Sequence, residues 1–189
     1  MNIKSTYTIP STSNIHVGAK SRGGALEIIS ANNFSMIPNS KTLTNVKLLD
    51  VDGEGVSQID QIVITPCKIY FIETKHVSHI LRGNEKDENW ELIKPNKGTI
   101  NIVNPVIQNQ RHINAFNSFF LAVDKEPLEV ESIICVGDNH YSRAVTDSNK
   151  VYTLTGACNK IIEDLEVLPH IYNVDNIERL IKVLVSSSE

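Results

Sequence analysis

The chain is poor in the residues that mark several familiar protein classes. Its 3 cysteines, Cys67, Cys135 and Cys158, are odd in number, far apart and never in a CxxC pair. That argues against a disulfide framework and a structural zinc site, and predicts three small buried side chains. With 9 Gly and 7 Pro among 189 residues, collagen-like and linker compositions are excluded. No stretch approaches the ~18 uninterrupted apolar residues of a membrane span, and the opening MNIKSTYTIPSTSN lacks a secretory apolar run, so a soluble, cytoplasmic protein is expected. Neither GxGxxG nor GxxxxGKS/T occurs, which disfavours nucleotide-binding enzymes of those types. GxSxG is also missing, and no Ser or Cys stands out as a nucleophile.

What remains is ordinary globular material, 41% hydrophobic and 21% charged, of a length that suits one core. Net charge is −4, which argues against a non-specific nucleic-acid coat protein. The charge is uneven. Residues 1–49 hold Lys4, Lys20, Arg22, Lys41 and Lys47 against Glu27 alone, so they carry +4 and the remainder −8. Basic N-terminal residues suit phosphates, while acidic residues elsewhere suit a metal. Residues 1–19 are polar and Ser/Thr-rich and are expected to form an arm or edge strand.

Hydrophobic period supplies the element order. ALEIISANNF predicts a short helix with Ala25, Leu26 and Ile29 inward, ending at Asn32–Asn33. Residues 42–49 and 56–64, joined by DVDGEG, predict an antiparallel hairpin, and KIYFIETKHV a third strand. The polar stretch from Ser78 to Gly98, with Trp90, predicts a shorter hairpin or loop. Asn104–Pro105 announces the helix VIQNQRHINAFNSFF, with Asn104 as cap. SIICVG at 132–137 and a segment near VYTL predict strands, ACNKIIEDLEVL a helix, and Asp175 with Glu178 a capping box opening a last helix. This order predicts an α/β or α+β layered domain, a mixed central sheet flanked by helices.

Alternation in KIYFIETKHV places Ile69, Phe71, Glu73, Lys75 and Val77 on one face. In QIDQIVI it places Asp60 with Ile62 and Ile64, so antiparallel pairing can bring Asp60 near Glu73. Two carboxylates that close repel each other unless a cation sits between them, and hard oxygen donors suit Mg²⁺ or Mn²⁺. A lysine beside such an ion can orient water and stabilise charge developing on a phosphate. An ExK on a strand is more often an exposed ion pair; here it follows an apolar run, which favours a buried face. On the Pro105 helix, Val106, Ile113, Phe116 and Phe120 form a core stripe, while Gln108, Arg111, His112 and Ala115 share another face. Asn109 reads as a surface amide. An EF-hand reading of DVDGEGVSQIDQ fails at its twelfth position, Gln61, and His76 and His79 lack a third ligand nearby.

The run QIDQIVITPCKIYFIETKHVSHILRGNEKDENW followed by NPVIQNQRHINAF resembles the nuclease-related domain (NERD) family of the restriction-endonuclease-like PD-(D/E)xK superfamily, over roughly residues 20–140. The resemblance implies a metal-dependent phosphodiesterase acting on DNA, with Mg²⁺ or Mn²⁺ as cofactor. It implies that Asp60 is the motif aspartate, Glu73 and Lys75 its ExK, Gln108 its helix glutamine, and that the Thr74 carbonyl touches the metal. The chain departs from the family in three places: Gln61 stands where a His is usual, His76 where an Asn is, and Gly24–Ala25 where relatives carry Gly-Glu. Glu27 lies two residues on, ~200° around a helix, and replaces the family glutamate only if the helix register or start differs.

The reading is a nuclease core over 20–145, completed by a C-terminal strand and helices over 146–189. Asp60, Glu73, Lys75, Gln108 and Glu27 are the catalytic candidates, and Asp60, Glu73 and Thr74 the metal ligands. Lys20, Arg22, Arg111 and His112 are candidate DNA contacts. Cutting both strands of a duplex takes two such sites, which a homodimer could supply. Two rivals stand beside it, a non-cleaving DNA-end or DNA-structure binding module on the same fold, and a protein-interaction domain.

Overall fold

Strand register and helix caps, more than composition, position the chemistry of this chain. The computed structural model describes residues 22–49, 56–77, 80–94, 96–122, 128–138 and 143–186. The arm expected over 1–19, Lys20 and His79 lie outside the described residues, as does the DVDGEG turn.

The first helix, α1 (Arg22–Ser35), starts earlier and ends later than its sequence suggested, and its main anchor is the fully buried Phe34. The hairpin β1 (Lys41–Leu49) and β2 (Val56–Ile64) is antiparallel, and β2 pairs antiparallel with β3 (Ile69–Lys75). Thr65 closes the turn between them, its hydroxyl accepting from Lys68 N and donating to Lys68 O. Then follow β4 (Ile80–Arg82), β5 (Asn89–Lys94), β6 (Gly98–Val103), α2 (Pro105–Ala122), β7 (Val130–Val136), β8 (Arg143–Val145), β9 (Val151–Thr153), α3 (Leu154–Val167) and α4 (Val174–Ser186).

The strands make two sheets. The central one is mixed, in the order β1-β2-β3-β7-β9, with β3, β7 and β9 parallel. The second, β6-β5-β4-β8, is a separate four-stranded sheet; the short hairpin expected over 78–98 is its β4–β5 pair, and the sheet extends beyond it on both sides. The polar stretch from Ser78 to Gly98 supplies β4 and β5, with Trp90 buried between them and the rest of the fold, and β6 follows it. Trp90 leaves no room beside it: a Cβ on Gly83 would lie 2.2 Å from its ring.

Each face of the central sheet buries its own core. Val63, Tyr70, Ile72, Ile133 and Cys135 pack with Phe34 of α1 and with Leu154, Ala157, Cys158 and Ile161 of α3. On the other face Ile62, Ile64, Ile69 and Phe71 pack with Ile113 and Phe116 of α2 and Ile181 of α4. All three cysteines are free and buried. No described helix is long and apolar enough to cross a membrane.

Capping explains the helix starts. Asn104 Oδ1 accepts from Val106 N at 2.8 Å. The same side chain donates through Nδ2 to the carbonyls of Glu85 and Asp87, so one residue fixes both the start of α2 and the loop before β5. The last helix corrects the capping-box expectation. Asn173 caps it by accepting from Asn176 N, whereas Asp175 lies inside the first turn and Glu178 pairs with Lys182.

Asn109 is likewise not a surface amide. It is fully buried, and its Nδ2 donates to Phe71 O and Ser132 Oγ, both at 2.8 Å, tying α2 to β3 and β7. Asn109→Ala removes two buried hydrogen bonds and is expected to cost about 1–3 kcal/mol. Urea unfolding checks this as a lower midpoint at unchanged slope.

Candidate active site

Glu73 and Lys75 stand two residues apart on β3, and the structure places them on one face: Lys75 Nζ donates to Glu73 Oε1 at 2.6 Å. The same ammonium donates to Gln108 Oε1 at 3.0 Å. Gln108 reaches it from the first turn of α2, where its backbone N–H bonds the capping residue Asn104. The cap thus sets the glutamine against the strand.

Asp60 arrives by an irregularity. The β1–β2 ladder skips the Asn45/Asp60 position, and Asn45 adopts a left-handed conformation, φ 52°. Beyond it Ile59 packs in the same core as Ile62 and Ile64, so strict alternation does not run through Asp60. Pairing of β2 with β3 ends at Gln61 and Ile72, and Asp60 Oδ2 accepts from Thr74 N at 2.7 Å.

Glu27 comes from α1. Its first two turns are tied to β2 by Gln61, whose Nε2 donates to Ser30 Oγ at 2.6 Å and to Glu27 O at 3.0 Å. Gln61, the residue at the usual family histidine position, is therefore a clamp between helix and sheet, and it is 1% exposed. Alternation alone places Gln61 on the face away from Glu73; its partners Ser30 and Glu27 were not signalled by the sequence.

The electrostatics bind these groups into one cluster. Burial pushes the Glu73 carboxyl up to about 7; Lys75 opposes this, while Asp60 and Glu27 add to it. Burial also raises Asp60, against the Thr74 N–H and Lys75. Glu27 is raised by burial and by Asp60, with Lys75 again opposing. Three carboxylates thus share one ammonium. Glu73 is 3% exposed, and its Oε2 has no hydrogen-bond partner. A buried carboxylate oxygen without a donor is costly, and a hard divalent cation is the kind of group that satisfies it. Among the described residues no three His, Cys, Asp or Glu side chains gather closely enough to hold a metal by themselves. An ion here needs backbone, water or substrate oxygens to complete its shell, which is how Mg²⁺ is commonly held.

The DNA-contact candidates separate. Arg111 is exposed on α2. His112 is a correction: its side chain is 6% exposed and Nδ1 lies 4.0 Å from Glu73 Oε2. It faces the carboxylate inside the fold and is withdrawn from an external phosphate. The sequence grouped it with Gln108 and Arg111 because a helical face spans a wide arc, part of which points into the sheet. Arg22 opens α1.

Mixed sheets flanked by four helices, with an ExK strand meeting a helix glutamine, define a nuclease-like α/β protein. The family model for NERD, the nuclease-related domain, matches residues 25–137, more than half of the chain, and the chain belongs to that family. The match spans Glu27, Asp60, Glu73, Thr74, Lys75, Gln108, Arg111 and His112. No curated protein and no solved structure matches the chain.

Proposed function

We propose that the chain is a Mg²⁺- or Mn²⁺-dependent endodeoxyribonuclease that hydrolyses DNA phosphodiester bonds. The observation that carries this is the buried, donor-free Oε2 of Glu73 beside an ammonium held by Glu73 and Gln108. Asp60 and Glu73 would hold the cation, with the Thr74 carbonyl as a further oxygen. When bound, the ion supplies Lewis acidity at the scissile phosphate.

The remaining work falls to the chain's own groups. Glu73 Oε1 and Gln108 Oε1 fix the Lys75 ammonium, so its remaining N–H is directed by two acceptors and needs no reorganisation to meet a water or a phosphate oxygen. Lys75 orients the attacking water and limits the negative charge that accumulates on the phosphate. Gln108 positions Lys75. Glu27 adds a third carboxylate that favours cation binding, and Gln61 holds the helix that carries it. Arg111 offers an exposed cation to the DNA backbone beyond the site.

A plasmid-nicking assay in Mg²⁺, Mn²⁺ and EDTA tests the reading, with wild type beside Asp60→Ala and Lys75→Ala. Nicking by wild type in divalent metal, its loss in EDTA and its loss in both variants are expected. Equal nicking by all three proteins removes the catalytic assignment. DNA binding without cleavage in either metal establishes instead the non-cleaving DNA-end or DNA-structure module.

A further inference from the structure

Among the described residues the second sheet ends in an open edge. Its order is β6-β5-β4-β8, and among the described residues no strand pairs with the outer side of β6. The opposite edge, β8, is only three residues long, a common protection. β6 has six residues, GTINIV, five of them exposed. It carries no charge and no proline, the usual devices against edge pairing, and Ile100 and Val103 are 45% and 50% exposed.

The two ends of this edge differ in charge. At the start of β6 the hairpin turn brings Lys94 and Lys97 together, Lys97 N donating to Lys94 O. At its end, Asn104 N donates to Glu88 O and Asn104 Nδ2 to Asp87 O, which sets the acidic Asp87 and Glu88 beside the strand terminus. Among the described residues Lys97 and Glu88 form no salt bridge with each other or with another side chain. A two-fold axis reverses such an edge, so the basic end of one copy meets the acidic end of the next.

We propose that β6 pairs antiparallel with β6 of a second copy of this chain, about a two-fold centred near Ile100 and Asn101, joining the two four-stranded sheets into one. Backbone hydrogen bonds satisfy the open edge; Lys97 of each copy comes opposite the partner's Asn104, and its long stem extends toward the partner's Glu88 one strand further in. The interface is isologous, as closed dimers require. A six-residue pairing buries little area, so the dimer is weak and concentration-dependent. None of these residues belongs to the candidate active site, and the proposal stands whether or not the protein cleaves DNA.

Sedimentation equilibrium at low ionic strength tests it. Wild type is expected to show a reversible monomer–dimer equilibrium. Lys97→Glu and Glu88→Lys should each weaken association at least about fivefold, by placing like charges together. Combining both changes in one chain, or mixing the two single variants, should restore it. Ile100→Lys should leave the protein monomeric, with a thermal melt confirming that it folds. A wild type that stays monomeric at every concentration overturns the proposal. So does a dimer indifferent to the charge reversals, or one weakened by each reversal and not restored by their combination.

Discussion

Glu73→Gln is expected to lower metal-dependent cleavage by at least about 10³-fold and, at the same time, to stabilise the metal-free fold above neutral pH. Glutamine keeps the shape and can accept the Lys75 N–H, but it removes the charge that the buried position tolerates poorly. The folded carboxyl titrates at about 7 where its ordinary value is 4.5, so the folded state binds this proton more tightly than the unfolded chain. The stability it contributes is therefore fully present below about pH 4.5 and is lost as pH rises through about 7. Above that window the ionised wild type is expected to be less stable than the glutamine variant by about 1–3 kcal/mol, and below pH 4.5 the two should converge.

The same proton competes with a cation. Metal binding needs the ionised carboxylate, so apparent Mg²⁺ affinity in wild type should rise up to about tenfold per pH unit below about 7 and flatten above it. Thermal melts with and without Mg²⁺ at pH 5, 6, 7 and 8 read both effects. Wild type should gain a Mg²⁺-dependent rise in Tm that grows with pH, and Glu73→Gln should gain none. A Mg²⁺ rise of equal size in the two proteins would place the ion elsewhere.

How much of this was legible follows from which interactions are local. The shared face of Glu73 and Lys75 is a consequence of period two along one uninterrupted strand, and their 2.6 Å contact needs nothing from the rest of the fold. The start of α2 was legible for the same reason, because Asn104 bonds Val106 two residues away. Asp60 was only half legible. The break in alternation beside it accompanies Asn45 in the neighbouring strand, whose left-handed backbone leaves no hydrophobic signature.

The full extent of the second sheet was hidden because its outermost strand, β6, has no buried face to impose a period. Its three-residue strands β4 and β8 are also too short to show one. Asn109 and His112 were misplaced because helical spacing says which residues share an arc, and the arc's neighbours come from strands 38 residues away in the case of Phe71 and Asn109. At the last helix two good caps lie two residues apart, and Asn173 is the one whose oxygen reaches a free N–H. Glu27 was in doubt because it stands two residues past Gly24–Ala25, where relatives carry Gly-Glu; the tie from Gln61 to its carbonyl joins residues 34 apart and leaves no local signal.

Lys75→Met separates holding a cation from using it. Methionine keeps the length and packing of the lysine stem and removes its charge, leaving Asp60, Glu73 and Glu27 without the ammonium that opposes the rise of each carboxyl. Without that opposition all three should titrate higher, and the Mg²⁺ rise in Tm should move to higher pH. At a pH above these raised titrations the carboxylates ionise and the cation meets no competing ammonium, so binding should be kept or strengthened. Cleavage should nevertheless fall about 10²–10⁴-fold, because the group that orients water and meets the developing charge is gone. Lys75→Arg is not expected to rescue it: a planar guanidinium cannot take the point-charge position between Glu73 Oε1 and Gln108 Oε1. Glu73→Gln thus loses Mg²⁺ binding and cleavage together, whereas Lys75→Met loses cleavage alone. If Lys75→Met cut DNA at the wild-type rate while still binding Mg²⁺, the ammonium would be only the counter-charge that the three carboxylates share.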